Sequence, residues 1–313
     1  MDKQLQDIRD LSRAFAKNEI AKDVDLSNYQ TDQQLKKPQP PLCKAAVSDV
    51  IIDLPKNFKD VKVEGNFTDL LFERKSHRVY TQKNITLEQL SYLCFACAGV
   101  LSIRGKSYAT LRTVPAGGAR HPYELYFAAN YVEGLKPGYY HYLPLTHQIE
   151  LIKEGTDTDE ISASLVGQAW AAKASVVFYL DFVFYRSEWR YGILAHAPAL
   201  MDIGYIGQNI YLASTTLNLG SCAIAALDKQ LANQMFNIGD GSEDQFADGD
   251  LFYFVRWFQS VPSNRRRHQR GGTCDPAGYP RDRIGQRSGF EQRSVQQRGI
   301  KKNGTVVPFF FYA

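Results

Sequence analysis

Residues 112–126, RTVPAGGARHPYELY, set a nearly side-chain-free backbone directly ahead of an apolar, aromatic run. Five consecutive residues, Pro115, Ala116, Gly117, Gly118 and Ala119, carry almost no side-chain volume. Such a backbone can lie directly against a flat or phosphorylated ligand, because little beyond the main chain holds the ligand off. The run that follows (Tyr123, Leu125, Tyr126, Phe127, Ala128, Ala129) is apolar and aromatic and belongs in a core. The stretch reads as a binding loop mounted on a rigid element, with the rest of the chain as its supports.

Downstream, residues 125–132 read as a strand and 134–138 as a turn. Two further strands are expected over 139–143 and 148–152. Residues 161–172 read as one helix, and 174–184, ASVVFYLDFVF, as a buried strand. Residues 184–192, FYRSEWRYG, read as a polar and aromatic link. The helix expected over 198–217 is apolar almost all round, through Leu200, Ile203, Ile206, Ile210 and Leu212, which predicts a helix central to the fold. Asn218, Leu219 and Gly220 end it. A small-residue strand at 221–226, a short helix at 228–236 and a last core strand at 251–255 complete this part.

Upstream, TLEQLSYLCFACAGV at 86–100 predicts a helix capped by Thr86 with Gln89 three residues on, and ended by Gly99. Cys94 and Cys97 lack a second ligand pair and read as small core residues. In FTDLLFERKSHR, 67–78, Leu70, Leu71 and Phe72 turn inward, while Arg74, Lys75, His77 and Arg78 cluster positive charge. The N-terminal part begins helically, with Leu5, Ile8, Leu11 and Phe15 on one face. KKPQPP at 36–41 must run extended. Residues 50–54 make a short strand stopped by Pro55.

The chain has 313 residues, 44% of them hydrophobic, enough for one large domain or two small ones. Apolar runs break well before the ~18 residues of a membrane span. The opening MDKQLQDIRDLSRAF has no apolar signal core, so a cytoplasmic protein is expected. Five scattered cysteines fit a reducing compartment. The net charge of +4 is unevenly placed: residues 257–313 hold 11 Lys+Arg against 3 Asp+Glu, and the remainder is mildly acidic. The total therefore gives no ground for nucleic-acid binding. From Trp257 on, Arg outnumbers Lys 9 to 2 and no apolar period survives. This region reads as a disordered tail, or as non-native sequence after a frameshift in the last strand. The alternative is an arginine-rich nucleic-acid arm. Three segments result: an N-terminal arm (1–65), a folded domain (66–256) and a basic tail (257–313).

No HExxH-like pattern, GxSxG elbow, P-loop or GxGxxG is present, which leaves metalloprotease, serine hydrolase, NTPase and Rossmann readings without a motif. What remains is a basic cluster, a Gly/Ala loop, a long helix ending in glycine and an aromatic link. Together they suit an aromatic, phosphorylated cofactor. The phosphate needs cations and free N–H groups, and the ring needs close backbone contact and apolar walls.

The order of segments resembles the nitroreductase-like FMN flavoproteins, and within them the SagB-type dehydrogenases, which include the thiazole/oxazole oxidases. Four stretches carry the resemblance: ERKSHR with ITLEQLSYLCFACAG, RTVPAGGARHPYELY, GYYHYLPLTHQIELI, and APALMDIGYIGQNIYLASTTLNLGSCAI. It covers roughly residues 66–256, and makes that segment a flavin-binding domain. It implies an α+β nitroreductase-like fold, a central, mostly antiparallel sheet flanked by helices around a long buried helix. It also implies FMN and a homodimer with flavin sites at the subunit interface. Carried over by position, Arg74, Ser76 and Arg78 hold the phosphate and ribityl chain. Pro115, Ala116, Gly117 and Gly118 lie along the isoalloxazine, and Leu219, Gly220 and Ser221 supply backbone contacts. A valine at Gly117 is expected to abolish flavin binding.

The sequence departs from this pattern at three places. Ala116 stands where the family has Ser, so contacts there fall to backbone N–H groups. The Lys-Tyr pair of the azole-forming oxidases is here Arg190-Tyr191. An arginine stays protonated and cannot be a base; Tyr191 can still act as the acid/base group with Arg190 as its electrostatic support, and the alternative is that both are packing or surface residues. The family's closing Gly-(Lys/Arg) is replaced by FYFVRWFQ; either Arg256 substitutes, or the contact is lost and FMN affinity is lowered. His121 and His196 flank the loop and the long helix. Both read first as structural histidines, with a substrate-facing role as the alternative. The implied function is FMN-dependent dehydrogenation of azoline rings in a modified peptide, with that peptide and a cyclodehydratase complex as partners. An NAD(P)H-dependent nitro or quinone reductase, and a non-catalytic scaffold in a peptide-modifying complex, are the alternatives.

Overall fold

The computed structural model describes residues 3–17, 19–58, 61, 63–79, 83–239 and the backbone of 249–259. The strand that follows the small-residue loop, β4 (Tyr123–Ala129), is the middle strand of a seven-stranded sheet. Its partners are β5 (Gly138–Leu143) and β7 (Val176–Val183). Beyond β5 come β6 (Gln148–Glu154) and the short β1 (Ile51–Asp53). Beyond β7 come β9 (Gly249–Gln259) and β8 (Leu219–Ile224). Every pair in this sheet is antiparallel.

Every residue of β4 is buried, because both faces of the sheet are covered. Alternation along the strand sends Tyr123, Leu125 and Phe127 to one core and Tyr126 and Ala128 to the other. The first core is closed by α3 (Leu87–Ala98) and α7 (His196–Thr216). The second is closed by α4 (Thr158–Ser164), α5 (Ala169–Ala172) and α8 (Lys229–Met235). The chain is thus α+β, an antiparallel sheet flanked by helices. The capping box on α3 forms as expected: Thr86 accepts from the Gln89 N–H and the Gln89 side chain accepts from the Thr86 N–H. Cys94 and Cys97 are fully buried in the first core, and burial pushes both thiols far up. Among the described residues no group of His, Cys, Asp or Glu could hold a metal ion, and no helix is long and apolar enough to cross a membrane.

Several expectations need correcting. Residues 161–172 are two helices, because Val166 (φ 55°) and Gly167 (φ 77°) turn left-handed between them. Residues 184–192 are not a link but a helix, α6 (Phe184–Tyr191), ended by Gly192 at φ 55°. Of the inward-turned trio on α2 (Phe67–Glu73), only Leu70 is buried; Phe72 is 86% exposed. A hairpin of β2 (Val100–Arg104) and β3 (Ala109–Arg112) was not expected; its alternating Leu101, Ile103 and Leu111 are all exposed, so the alternation marks no core face here. The apolar face of α1 (Lys3–Ala16) has no buried residue. Backbone pairing in β9 continues through Trp257, Phe258 and Gln259, past the expected end of the core at 256. The remainder of the basic tail lies outside the described residues.

The arm ahead of α2 is tied to the sheet through buried charges. The Lys44 ammonium meets Asp181 at 2.7 Å, and the Lys44 N–H donates to Glu124. The Val47 and Ser48 N–H groups share one Glu150 oxygen, whose carboxylate also meets His141 at 2.7 Å. Burial works against ionised Glu124, yet the Arg186 guanidinium and His141 hold its carboxyl well below the usual range. Farther along the arm, the Gln33 N–H donates to the Trp189 carbonyl, the Trp189 indole donates to the Lys37 carbonyl, and Tyr185 donates to Asp32. The arm therefore braces α6.

Candidate functional site

Helix α7 carries the site, and two groups of predicted residues gather at separate points along it. Near its start, Asp202 is buried on the core side and both its oxygens accept the Gly117 N–H, at 3.0 and 3.1 Å. This contact fixes the small-residue loop on the helix. The loop closes as a single tight turn over Gly117–Ala119, with Gly118 at φ 56°. A Cβ at Gly118 would fall 2.5 Å from Arg190 Nε and 2.6 Å from the Tyr191 hydroxyl, so the Arg190–Tyr191 pair at the end of α6 is pressed onto this glycine. At Gly117 a Cβ would meet only ordinary contacts, 3.6 Å or more away. The sterically strict position is therefore Gly118. Pro115 is exposed and Ala116, Gly117 and Gly118 are half-buried, so the loop presents backbone at a surface. With the Gly117 N–H committed to Asp202, ligand contacts from the loop fall to its neighbours.

Around the pair, Arg190 donates to the Tyr108 hydroxyl and stands 5.6 Å from the Tyr191 ring. Burial opposes its charge, but the phenol oxygens of Tyr191 and Tyr108 hold its pKa above the ordinary value. Arg120 is buried; it donates to the Gly118 carbonyl at 3.1 Å and to the Tyr108 carbonyl at 2.8 Å. Burial pushes the Asp202 carboxyl up to about 7, against the pull of the Gly117 N–H. His121 is buried against the Thr110 carbonyl, and burial drives its pKa down to about 3. It is neutral and structural. His196 is paired with Glu188 at 2.9 Å.

Nine residues further along α7, roughly 13–14 Å of helix rise away, Tyr211 organises the second group. Its hydroxyl accepts the Ala223 N–H and lies 2.9 Å from Ser76 Oγ, while the Arg74 guanidinium lies over its ring at 5.1 Å. Ser76 bridges to Ser221, and the His77 N–H donates to the Ser221 carbonyl. Leu219, Gly220 and Ser221 are buried in β8, behind this segment. A Cβ at Gly220 would fall 2.6 Å from the His77 ring, so the absence of a side chain there lets residues 74–78 close onto the strand. Of the backbone groups expected from these three residues, the Ser221 carbonyl is taken by the His77 N–H. Lys75, Ser76 and Arg78 are exposed and Arg74 half-exposed, and no carboxylate among the described residues pairs with Arg74, Lys75 or Arg78. The backbone of Arg256 pairs with Cys222, beside this group.

Unpaired guanidinium groups beside a serine hydroxyl are the donor set a phosphate requires. A backbone-lined loop with a tyrosine and an arginine suits a ring bearing polar edges. The residues present therefore fit a cofactor with a phosphate at one end and a flat ring at the other. Sequence reading missed Asp202, Tyr211, Tyr108 and Arg120. The first two were detectable in principle, as polar residues in a helix otherwise read as apolar all round.

The chain and its fold have counterparts in known proteins. The model of the nitroreductase family matches residues 71–246. A protein of Methanocaldococcus jannaschii bearing the name nitroreductase, MJ1384, is 33% identical over 175 residues, which is 56% of this chain and 83% of the relative. The trifolitoxin-processing protein TfxB of Rhizobium leguminosarum bv. trifolii is 24% identical over 46% of this chain and 39% of its own length. Among solved structures, one from Ralstonia eutropha, described as a nitroreductase, superposes with a TM-score of 0.55 at 22% identity, covering 72% of this chain and 95% of that one. A chain of the E. coli microcin synthetase McbBCD complex with truncated pro-MccB17 bound gives a TM-score of 0.50 at 17% identity, over 70% of this chain and 85% of that one. At these identities the structural likeness is one of fold.

Proposed function

Because this chain belongs to the nitroreductase family and is an oxidoreductase by that membership, we propose that it binds FMN along α7 and dehydrogenates azoline rings of a modified peptide to azoles. Arg74, Ser76 and Arg78 hold the phosphate and ribityl end; Pro115, Ala116, Gly117 and Gly118 border the ring; Leu219, Gly220 and Ser221 back the phosphate segment. FMN supplies the hydride acceptor. Tyr191 serves as the acid/base group and Arg190 supports it electrostatically.

The observation that carries the reading is the packing of Arg190 and Tyr191 on Gly118, which puts a proton-handling group on the loop expected to border the ring. Two relatives lend it support by their names alone, one a trifolitoxin-processing protein and the other a chain of a microcin synthetase complex. By the same reasoning a cyclodehydratase complex is the expected partner. A homodimer is supported by the outer face of α7: Leu200, Met201 and Tyr205 are exposed, and Cβ positions at Gly204 and Gly207 meet nothing within 4 Å. A second reading, an NAD(P)H-dependent nitro or quinone reductase in the cytoplasm, is favoured by the relative named nitroreductase.

Anaerobic mixing of the FMN-loaded protein with an azoline-bearing peptide tests the proposal. Bleaching of the flavin together with loss of two hydrogens from the peptide is expected. Flavin bleached by NAD(P)H and reoxidised by a nitroarene, with the peptide unchanged, would favour the second reading. A protein that takes up no FMN would favour a scaffold.

A further inference from the structure

Tyr108 lies in the turn of the β2–β3 hairpin, a stretch to which neither the sequence reading nor the family resemblance assigns a role. Its side chain is nonetheless the meeting point of three separate elements, two on the phenol oxygen and one on the ring. The Gln33 amide, from the N-terminal arm, donates to it at 3.2 Å. The Arg190 guanidinium, from the end of α6, donates to the same oxygen. Arg120, on the loop after Gly118, stands over the Tyr108 ring at 4.9 Å and is itself held by the Gly118 and Tyr108 carbonyls. Two N–H donors on a phenol oxygen, with two guanidinium groups beside the ring, form an environment that stabilises the anion relative to an ordinary phenol. The cluster is continuous with the site, since Arg190 also packs on Gly118.

We propose that Tyr108, held by Gln33, Arg190 and Arg120, is the proton acceptor of this site, taking the base role that the family resemblance gives to Tyr191 and that Arg190 cannot fill. The inference rests on the azoline reading above. The proton step breaks a ring C–H bond and forms the Tyr108 O–H bond. The electron pair left on that carbon enters the new ring double bond as the hydride on the adjacent carbon departs to the flavin. Arg190 acquires a defined role in this step, because its fixed charge stabilises the phenolate before the transfer.

The surroundings agree in direction. The Tyr108 pKa is lowered, first by the Gln33 contact, against the opposing effect of burial, and then by Arg190 and Arg120. Arg190, Arg120 and Gln33 are the charged and hydrogen-bonding groups acting on this phenol from the helix, the loop and the arm, and Tyr191 is the titratable neighbour beyond Arg190.

The experiment is a spectroscopic phenolate titration of the full chain, without flavin or substrate, for the wild type, Tyr108→Phe and Arg190→Gln. It is paired with the pH dependence of azoline-peptide turnover by the FMN-loaded proteins. The expected result is that the lowest-titrating phenol of the wild type disappears in Tyr108→Phe and moves to higher pH in Arg190→Gln. Turnover by Tyr108→Phe should fall about a hundredfold or more, with the acid limb of the profile lost and flavin content unchanged. An identical titration in all three proteins, or undiminished turnover by Tyr108→Phe, overturns the proposal. If the wild type turns over no azoline peptide, the functional reading fails, and the titration by itself still decides whether Tyr108 ionises as argued.

Discussion

The two ends of α7 are built differently. Around Asp202 the parts are locked: the Gly117 N–H is held by a buried carboxylate, Arg120 is buried against two carbonyls, and Arg190 is clasped by phenols. Around Tyr211 the backbone is fastened, through His77 to Ser221 and Ala223 to Tyr211, but the cationic side chains extend without carboxylate partners among the described residues. A rigid end orients, whereas an end with unspent charge attracts. A ring must be held in one pose for hydride transfer, while a phosphate needs charge and tolerates mobile side chains.

The strongest way to break the locked end is Gly118→Val. The new side chain would need a left-handed φ and would displace Arg190 and Tyr191. FMN affinity is expected to fall about a hundredfold, given that strain and misplacement of this kind cost ~1–3 kcal/mol each. Gly117→Ala should remain near wild type, since its Cβ meets only ordinary contacts. Fluorescence titration with FMN checks both. At the other end, Gly220→Ala pushes against the His77 ring and should loosen residues 74–78 from β8, weakening FMN by roughly tenfold in the same assay.

A smaller effect should separate the ends by pH. Asp202 titrates near 7 in the fold, above its ordinary 3.8, so the folded state favours its protonated form. Its stabilising contribution is complete below about pH 4 and is lost as the pH rises through about 7, worth a few kcal/mol at most. Asp202→Asn should remove this dependence. Thermal melts across that window should show the wild type losing stability relative to the variant as the pH rises, and parallel curves would contradict the assignment.

This contrast also explains what the sequence could disclose. The capped helix α3, the strands β4 to β7 and the course of α7 were legible because burial and capping are local or periodic. Arg74, Lys75, His77 and Arg78 were legible as a charge cluster, whereas Ser76 entered only through the family resemblance. The locked end was not, because its partners come from distant segments: Gln33 from the arm, Tyr108 from an exposed hairpin and Asp202 from inside a helix. Helix α6 was hidden by its composition, since Arg186 and Ser187 are buried where apolar residues would mark a core face. The outer face of α7, apolar yet exposed, shows that apolarity all round predicted burial that a single chain does not provide.

The central claim, that one cofactor spans both ends with its phosphate at Arg74 and Arg78, is tested most directly by comparing FMN with riboflavin. Both ligands are titrated against the wild type and an Arg74→Ala/Arg78→Ala variant, at low and high salt. The wild type should bind FMN more tightly, and the double variant should lose about a hundredfold or more in FMN affinity while its riboflavin affinity stays unchanged, since each charge-assisted contact contributes ~1.5–3 kcal/mol. Equal losses for both ligands, or a wild type that binds neither, would contradict it.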